Sequence, residues 1–270
     1  QEIDTVLVCM VDMQGRLMGK RFHAEAFLEI AEDETHCCNY LLATDLEMAT
    51  PDGYASTSWS TGYGDYVMKP DLGTLRPVPW IEGTAICLCD VLDHNTHKPV
   101  PFSPREVLKT QISKAEDMGF SSIMATELEF FLFQGTHDEI AANGFRELKP
   151  ISNYNEDYHI FQTSKEEHVM RPIRNFLRDM GIPVEGTKGE AEAGQEELNI
   201  KYADALSTAD HILSQNMELK KLRTNRVMLQ LFCRNGIKIA LAPLHTCINL
   251  YLKTVQMFFM MLKRQWENRK

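Results

Sequence analysis

Short apolar runs separated by turn residues mark the first third of the chain. Val6 to Val11, Tyr40 to Ala43 and Ala85 to Val91 each read as a strand, and Ala24 to Ala31 has helical spacing. Residues 3–93 therefore suit a small α+β domain. His94-Asn-Thr-His97-Lys-Pro follows as a linker, its histidines read as solvent-exposed rather than as ligands. Ser103-Pro104-Arg105-Glu106 then combines a capping hydroxyl, a first-turn proline and an acid three residues on. That predicts a helix to about Met118, stopped by Gly119. A strand over 123–133 comes next, then an irregular segment from Gln134 to Asp157. Helices are predicted from about Glu166 to Met180, closed by Gly181, and from Asp204 to about Leu213. Beyond that the pattern changes: Leu241 to Gln265 is rich in Met, Phe and Leu without an amphipathic period.

The strand over 123–133 is apolar or aromatic except at Thr126, Glu127 and Glu129. Alternation puts both carboxylates on one face. Burying two unpaired carboxylates on an apolar strand is costly, so cation binding is one explanation. An edge strand holding its acids in solvent is the other. Further along, Glu190 and Glu197 bracket a Gly194-Gln195 turn, and the four acids together read as part of a divalent-metal site.

With 270 residues, 44% hydrophobic and 24% charged, the chain can bury a sizeable core. Its net charge of −10 argues against nucleic acid as a partner and favours cations. Seven cysteines, an odd number that includes Cys37-Cys38 and Cys87-x-Cys89, point to reduced thiols and a cytoplasmic location. Cys87 and Cys89 read as ordinary strand residues, because no second pair stands at zinc-finger spacing. No signal peptide or apolar run of membrane-spanning length is apparent, which argues against a membrane partner. The chain begins at Gln1 rather than Met, so a missing N-terminal piece is expected.

The segment Gly181 to Asn199 completes a wider pattern. Glu127-Leu-Glu129-Phe-Phe-Leu-Phe followed by Glu190 and then Gly194-Gln195-Glu196-Glu197 resembles the glutamine synthetase family. The resemblance also takes in Asp12-Met-Gln-Gly15-Arg-Leu-Met-Gly19-Lys20-Arg21, the run from Asp65 through Asp71 to Trp80, and Pro101-Phe-Ser-Pro-Arg105. It covers roughly residues 3–214. It implies an N-terminal β-grasp-like domain over 1–98 and an incomplete catalytic domain over 99–214, α+β throughout. The implied reaction is ATP-dependent ligation of ammonia or a small amine to the glutamate γ-carboxylate through γ-glutamyl phosphate. Mg²⁺ or Mn²⁺ would be the metal, ATP the co-substrate, and the intact protein a homo-oligomeric ring with shared active sites. By motif, Glu129, Glu190 and Glu197 match ligands of a first ion and Glu127 one ligand of a second. Asp52 and Asp65 fall where the family presents catalytic acids to the ammonium site of a neighbouring subunit. A turn aspartate before Gly53 is an equal reading of Asp52. Lys20 and Arg21 read as solvated strand-end charges and Trp80 as structural. The loop Glu190-Ala-Glu192-Ala193-Gly194 departs from the family pattern, so Glu192 is not assigned as a ligand. The alternative from another class is a non-catalytic structural or regulatory paralogue.

After about Ser214 the resemblance stops, and residues 215–270 lack the His-x-His, the arginines and the last metal carboxylate that the family requires. As written, the chain is therefore expected to be inactive. Read from the third base of each codon, Met217-Glu218 forces glycine, Met257-Phe258 forces valine and Met260-Met261 forces aspartate. Met228 to Phe232 permits Ala-Ala-Thr-Phe, and His245 to Ile248 permits His-x-His. The tail is thus expected to be a catalytic core read out of frame. The competing reading is a genuine divergent helical tail.

Overall fold

A computed structural model describes residues 2–222 and 227–231 of the chain. Their architecture is mixed α and β, in two compact units that meet in sequence between Ser122 and Ile123. The first unit holds β1 (Thr5–Val11), β2 (Leu17–His23), α1 (Ala24–Ile30), β3 (Thr35–Cys38), β4 (Asp65–Pro70), β5 (Arg76–Pro77), β6 (Thr84–Asp93) and α2 (Pro104–Asp117). Its sheet runs β2-β1-β6-β4-β3, with β5 added on β6. The two centremost apolar runs, β1 and β6, pair in parallel with Thr5 opposite Thr84. Val8, Met10, Met68 and Cys87 are fully enclosed there, and Phe27 of α1 joins the same cluster. Cys87 and Cys89 are buried, free thiols on β6, as their spacing suggested. Burial pushes both thiols up, so neither is poised as a thiolate.

Three local expectations in this unit are corrected. Tyr40 to Ala43 is not a strand: β3 lies just before it, and Asn39–Leu42 forms a 3₁₀ turn in which the Ala43 N–H donates to the Tyr40 carbonyl. Four apolar residues carry too short a pattern to separate one helical turn from a strand. Ser103 does not cap α2 through its side chain; its hydroxyl is buried without a hydrogen-bond partner. The helix start is held instead by the first-turn Pro104 and by Arg105, which bonds to Asp71 and Asp90. The His94 to Pro99 segment is a closed turn rather than an open linker. Asp93 N–H bonds to the Lys98 carbonyl, and His97 Nε2 lies 3.2 Å from Glu34.

The second unit holds β7 (Ile123–Met124), β8 (Glu127–Gln134), α3 (His137–Ala142), α4 (Ile160–Thr163), α5 (Glu167–Asp179), β9 (Val184–Gly189), β10 (Gln195–Ile200), β11 (Ala203–Asp204), α6 (Ala205–Leu222) and β12 (Val227–Leu231). Its main sheet is antiparallel in the order β12-β8-β10-β9, and β7 pairs with β11. β8 is thus an interior strand, which removes the edge-strand reading of its acids. Leu128, Phe130 and Leu132 face one side with Leu198 and Ile200, all nearly inaccessible. The buried stripe of α5, Val169, Met170, Ile173 and Leu177, supplies the matching apolar surface, and α5 packs on β9. The segment expected to be irregular contains α3, opened by a capping box between Thr136 and Glu139. α6 runs past Leu213, and the backbone of β12 pairs with β8, placing Gln230 opposite Phe131. The readings on residues 232–270, among them the out-of-frame motifs at His245 to Ile248, Met257-Phe258 and Met260-Met261, lie outside the described residues. Among the described residues no helix is long and apolar enough to cross a membrane.

Candidate metal centre

Strand register assembles the centre. β8 and β10 pair with Glu129 opposite Glu197 and Glu127 opposite Asn199, while β10 and β9 pair with Glu197 opposite Lys188. Directly opposed residues share a face, so Glu129, Glu197 and Lys188 form a row across three strands, with Glu127 two residues along on the same side. Glu190 follows β9 immediately, and the tight return to β10 brings it back to this row. That return needs Gly194: its φ is +72°, and a Cβ there would lie 2.9 Å from the Leu132 carbonyl oxygen.

The result is four carboxylates, Glu127, Glu129, Glu190 and Glu197, each offering an oxygen within 4.8 Å of the others. Glu129, Glu190 and Glu197 are buried and Glu127 is exposed at the strand end. Gln195 Nε2 donates to Glu129 Oε2 at 2.9 Å, and Asn199 Nδ2 donates to Glu197 Oε1 at 2.5 Å. Lys188, which the sequence did not flag, supplies a resident positive charge. Its Nζ hydrogen-bonds to Glu190 and lies 3.0 Å from Glu197 Oε2, 3.8 Å from Asp157 and 4.6 Å from the centre of the Tyr158 ring.

Electrostatics follow from this crowding. The bond from Lys188 outweighs partial burial and holds Glu190 down at about 2. For Lys188 burial opposes the charged form, but bonds to Glu190 and Glu197 win and raise it above the usual lysine range. Glu127 is raised, first by desolvation and then by the hydrogen bond and charge of Glu197 and by its other acidic neighbours. One cationic side chain among so many acids leaves the cluster negative. Its all-oxygen donor set fits a hard divalent ion, since oxygens within 4.8 Å of one another are close enough to share one ion with bonds of about 2.4 Å.

The other candidates lie elsewhere. Asp52 is exposed in a loop ahead of Gly53, and Asp65 is exposed at the start of β4 opposite Cys38. Glu192 is exposed, and its carbonyl accepts the Gln195 N–H within the return loop. Sequence reading passed over Lys188, Gln195 and Asn199 as partners of the acids. The signal available for all three was the period of two on β9 and β10, which puts each beside a named carboxylate.

The family model for the glutamine synthetase catalytic domain matches residues 101–234. The match continues past Ser214, where the motif resemblance ended. A γ-glutamylethanolamide synthetase, GlnA4, of Streptomyces coelicolor is 44% identical over 210 residues, covering 77% of this chain and 45% of that protein. A glutamate–isopropylamine ligase of Pseudomonas is 37% identical over 231 residues, covering 85% of this chain and 50% of that protein. Among solved structures, a ligand-free GmaS superposes with a TM-score of 0.65 at 23% identity, covering 84% of this chain and 49% of that one. The chain spans about half the length of the curated relatives it matches.

Proposed function

The chain belongs to the glutamine synthetase family, and from that premise we propose that it represents part of an ATP-dependent ligase joining a small amine to the γ-carboxylate of glutamate. The observation that carries this reading is the convergence of Glu127, Glu129, Glu190 and Glu197 on one sheet face. A glutamate carboxylate is a poor electrophile. Phosphorylation by ATP converts it to γ-glutamyl phosphate, from which an amine displaces phosphate. A divalent ion, Mg²⁺ or Mn²⁺, supplies neutralisation of phosphate charge in such chemistry. In this chain Glu129, Glu190 and Glu197 would hold one ion and Glu127 would contribute to a second. Gln195 and Asn199 keep the oxygens of Glu129 and Glu197 aimed, and Lys188 balances part of their charge.

The names of the two relatives, a γ-glutamylethanolamide synthetase and a glutamate–isopropylamine ligase, favour an organic amine over ammonia as the acceptor. Within the same reading, residues 1–98 form a β-grasp domain that lends Asp52 and Asp65 to a neighbouring subunit's amine site, and 99–214 begin the catalytic domain. The intact protein is a cytoplasmic homo-oligomeric ring, and the chain as written is inactive. Lys188 favours one other reading: a cation already bonded to Glu190 and Glu197 suits a non-catalytic paralogue that keeps the fold.

Calorimetric titration with Mn²⁺ separates the two. Loss of one micromolar Mn²⁺ equivalent in Glu129→Gln supports the ligase, and a stoichiometry that Glu129→Gln leaves unchanged moves the paralogue to the front. Amine-dependent phosphate release from ATP and glutamate, run with ethanolamine, isopropylamine and ammonia on the full-length protein, tests the acceptor.

A further inference from the structure

The two faces of β10 carry different acids. Glu197 faces the centre described above, so its neighbour Glu196 projects to the opposite face, the one packed by Leu198, Ile200 and α5. There it meets Glu166, at the start of α5, and Glu156, from the loop before α4. Each of the three offers an oxygen within 4.8 Å of the other two. This is a sealed position: Glu156 is 0% exposed and Glu166 and Glu196 are each 1% exposed. No group outside the trio hydrogen-bonds to either oxygen of Glu156, to one oxygen of Glu166 or to one of Glu196. Buried carboxylates normally collect donors, and here the only ones are the acids themselves, Glu166 bonding with Glu196 and Glu156.

Two further features bear on a ligand. Gly189 of β9 lets the Glu156 segment close in, since a Cβ at that position would lie 2.4 Å from the Glu156 carbonyl oxygen and 2.8 Å from its Cβ. A cavity of about 320 Å³ also reaches Glu196, and the hydroxyl residues Thr163 and Ser164 and the acid Glu167 line it. The basic residues on the same wall are already engaged, Arg174 with Glu167 and Thr187, and Lys188 with Glu190 and Glu197.

We propose that Glu156, Glu166 and Glu196 form a second divalent-cation site, separate from the four-carboxylate centre and filled through this cavity. Three carboxylates completed by water from the cavity are an all-oxygen donor set, the kind that Ca²⁺ and Mn²⁺ take. The oxygens lie within 4.8 Å of one another, no farther apart than opposite ligands around an ion with bonds of about 2.4 Å. Such an ion ties the loop before α4, the N-terminal end of α5 and the start of β10 together, so its role is structural.

The test uses the full chain with the first centre disabled, as Glu129→Gln/Glu197→Gln. Equilibrium dialysis with Mn²⁺ should leave one ion per chain in this variant, and Ca²⁺ should raise its Tm. Adding Glu166→Gln should remove both effects. If that triple variant does not fold, the methyl resonance of Met170, which lines the same cavity, gives the answer in the double variant. Broadening at sub-stoichiometric Mn²⁺ supports the site. An unbroadened Met170 signal, no residual ion in the double variant, or a residual ion that survives Glu166→Gln overturns it. The first centre is judged apart, by the Mn²⁺ equivalent that the wild-type chain holds beyond the double variant.

Discussion

Lys188 shows how much one side chain sets at this sheet face. It is the single lysine bonded to both Glu190 and Glu197 among the described residues, and its removal leaves their charges facing each other. Lys188→Met should lower the stability of the metal-free protein by about 1–3 kcal/mol, the range for breaking a partly buried pair. The same change should tighten Mn²⁺ binding several-fold, because the ion no longer meets a resident positive charge. Melts with chelator and calorimetry read the two effects, and weaker Mn²⁺ binding would contradict the second. Glu166 gives a pH signature. Burial, followed by the charge of Glu156, pushes its carboxyl up to about 7. A carboxyl raised in the folded state favours folding while protonated. Its contribution is therefore complete below about pH 4.5 and lost as pH rises through 7. In chelator, Tm should fall across that window, and Glu166→Gln should flatten the fall.

At the scale of elements, the β9–β10 return decides whether the acids converge. Gly194 has a positive φ and no room for a Cβ, so Gly194→Ala should cost about 1–3 kcal/mol and displace Glu190. Its Mn²⁺ affinity should drop with its Tm, and an unchanged affinity would mean that Glu190 is not held by this loop. The packing of α5 is a separate matter. Ile173 is fully enclosed between the helix and the sheet, and Ile173→Ala should cost about 2–5 kcal/mol in urea unfolding. Metal affinity should change little in that variant while it remains folded, since Ile173 lies on the other face of the sheet from Glu129 and Glu197.

For the whole molecule, the chain spans about half the length of the curated relatives it matches, and the expected out-of-frame tail is the reading to test. Sequencing the encoding DNA across codons 205–270 should find one lost or gained base, and restoring the frame should restore amine-dependent phosphate release. A clean trace would favour the paralogue reading. The family match running to residue 234, and the pairing of Val227–Leu231 with β8, set any break in resemblance later than Ser214.

The sequence by itself determined the strong, local and periodic features. Glu127 and Glu129 could be put on one face, α5 could be bounded by Gly181, and Glu190 and Glu197 could be tied to them by motif, because periodicity and ordered motifs are written along one dimension. Short or ambivalent pieces were not legible: Tyr40 to Ala43 became a helical turn, α3 arose inside a segment of no clear pattern, and Ser103 turned its hydroxyl away from α2. Tertiary structure alone decided which residues from distant segments meet. Lys188 joined the four acids through strand register, and Glu156, Glu166 and Glu196 came together on the reverse of the same sheet. Their charges interact through space over a few ångströms, and nothing in the linear order of the chain encodes that distance.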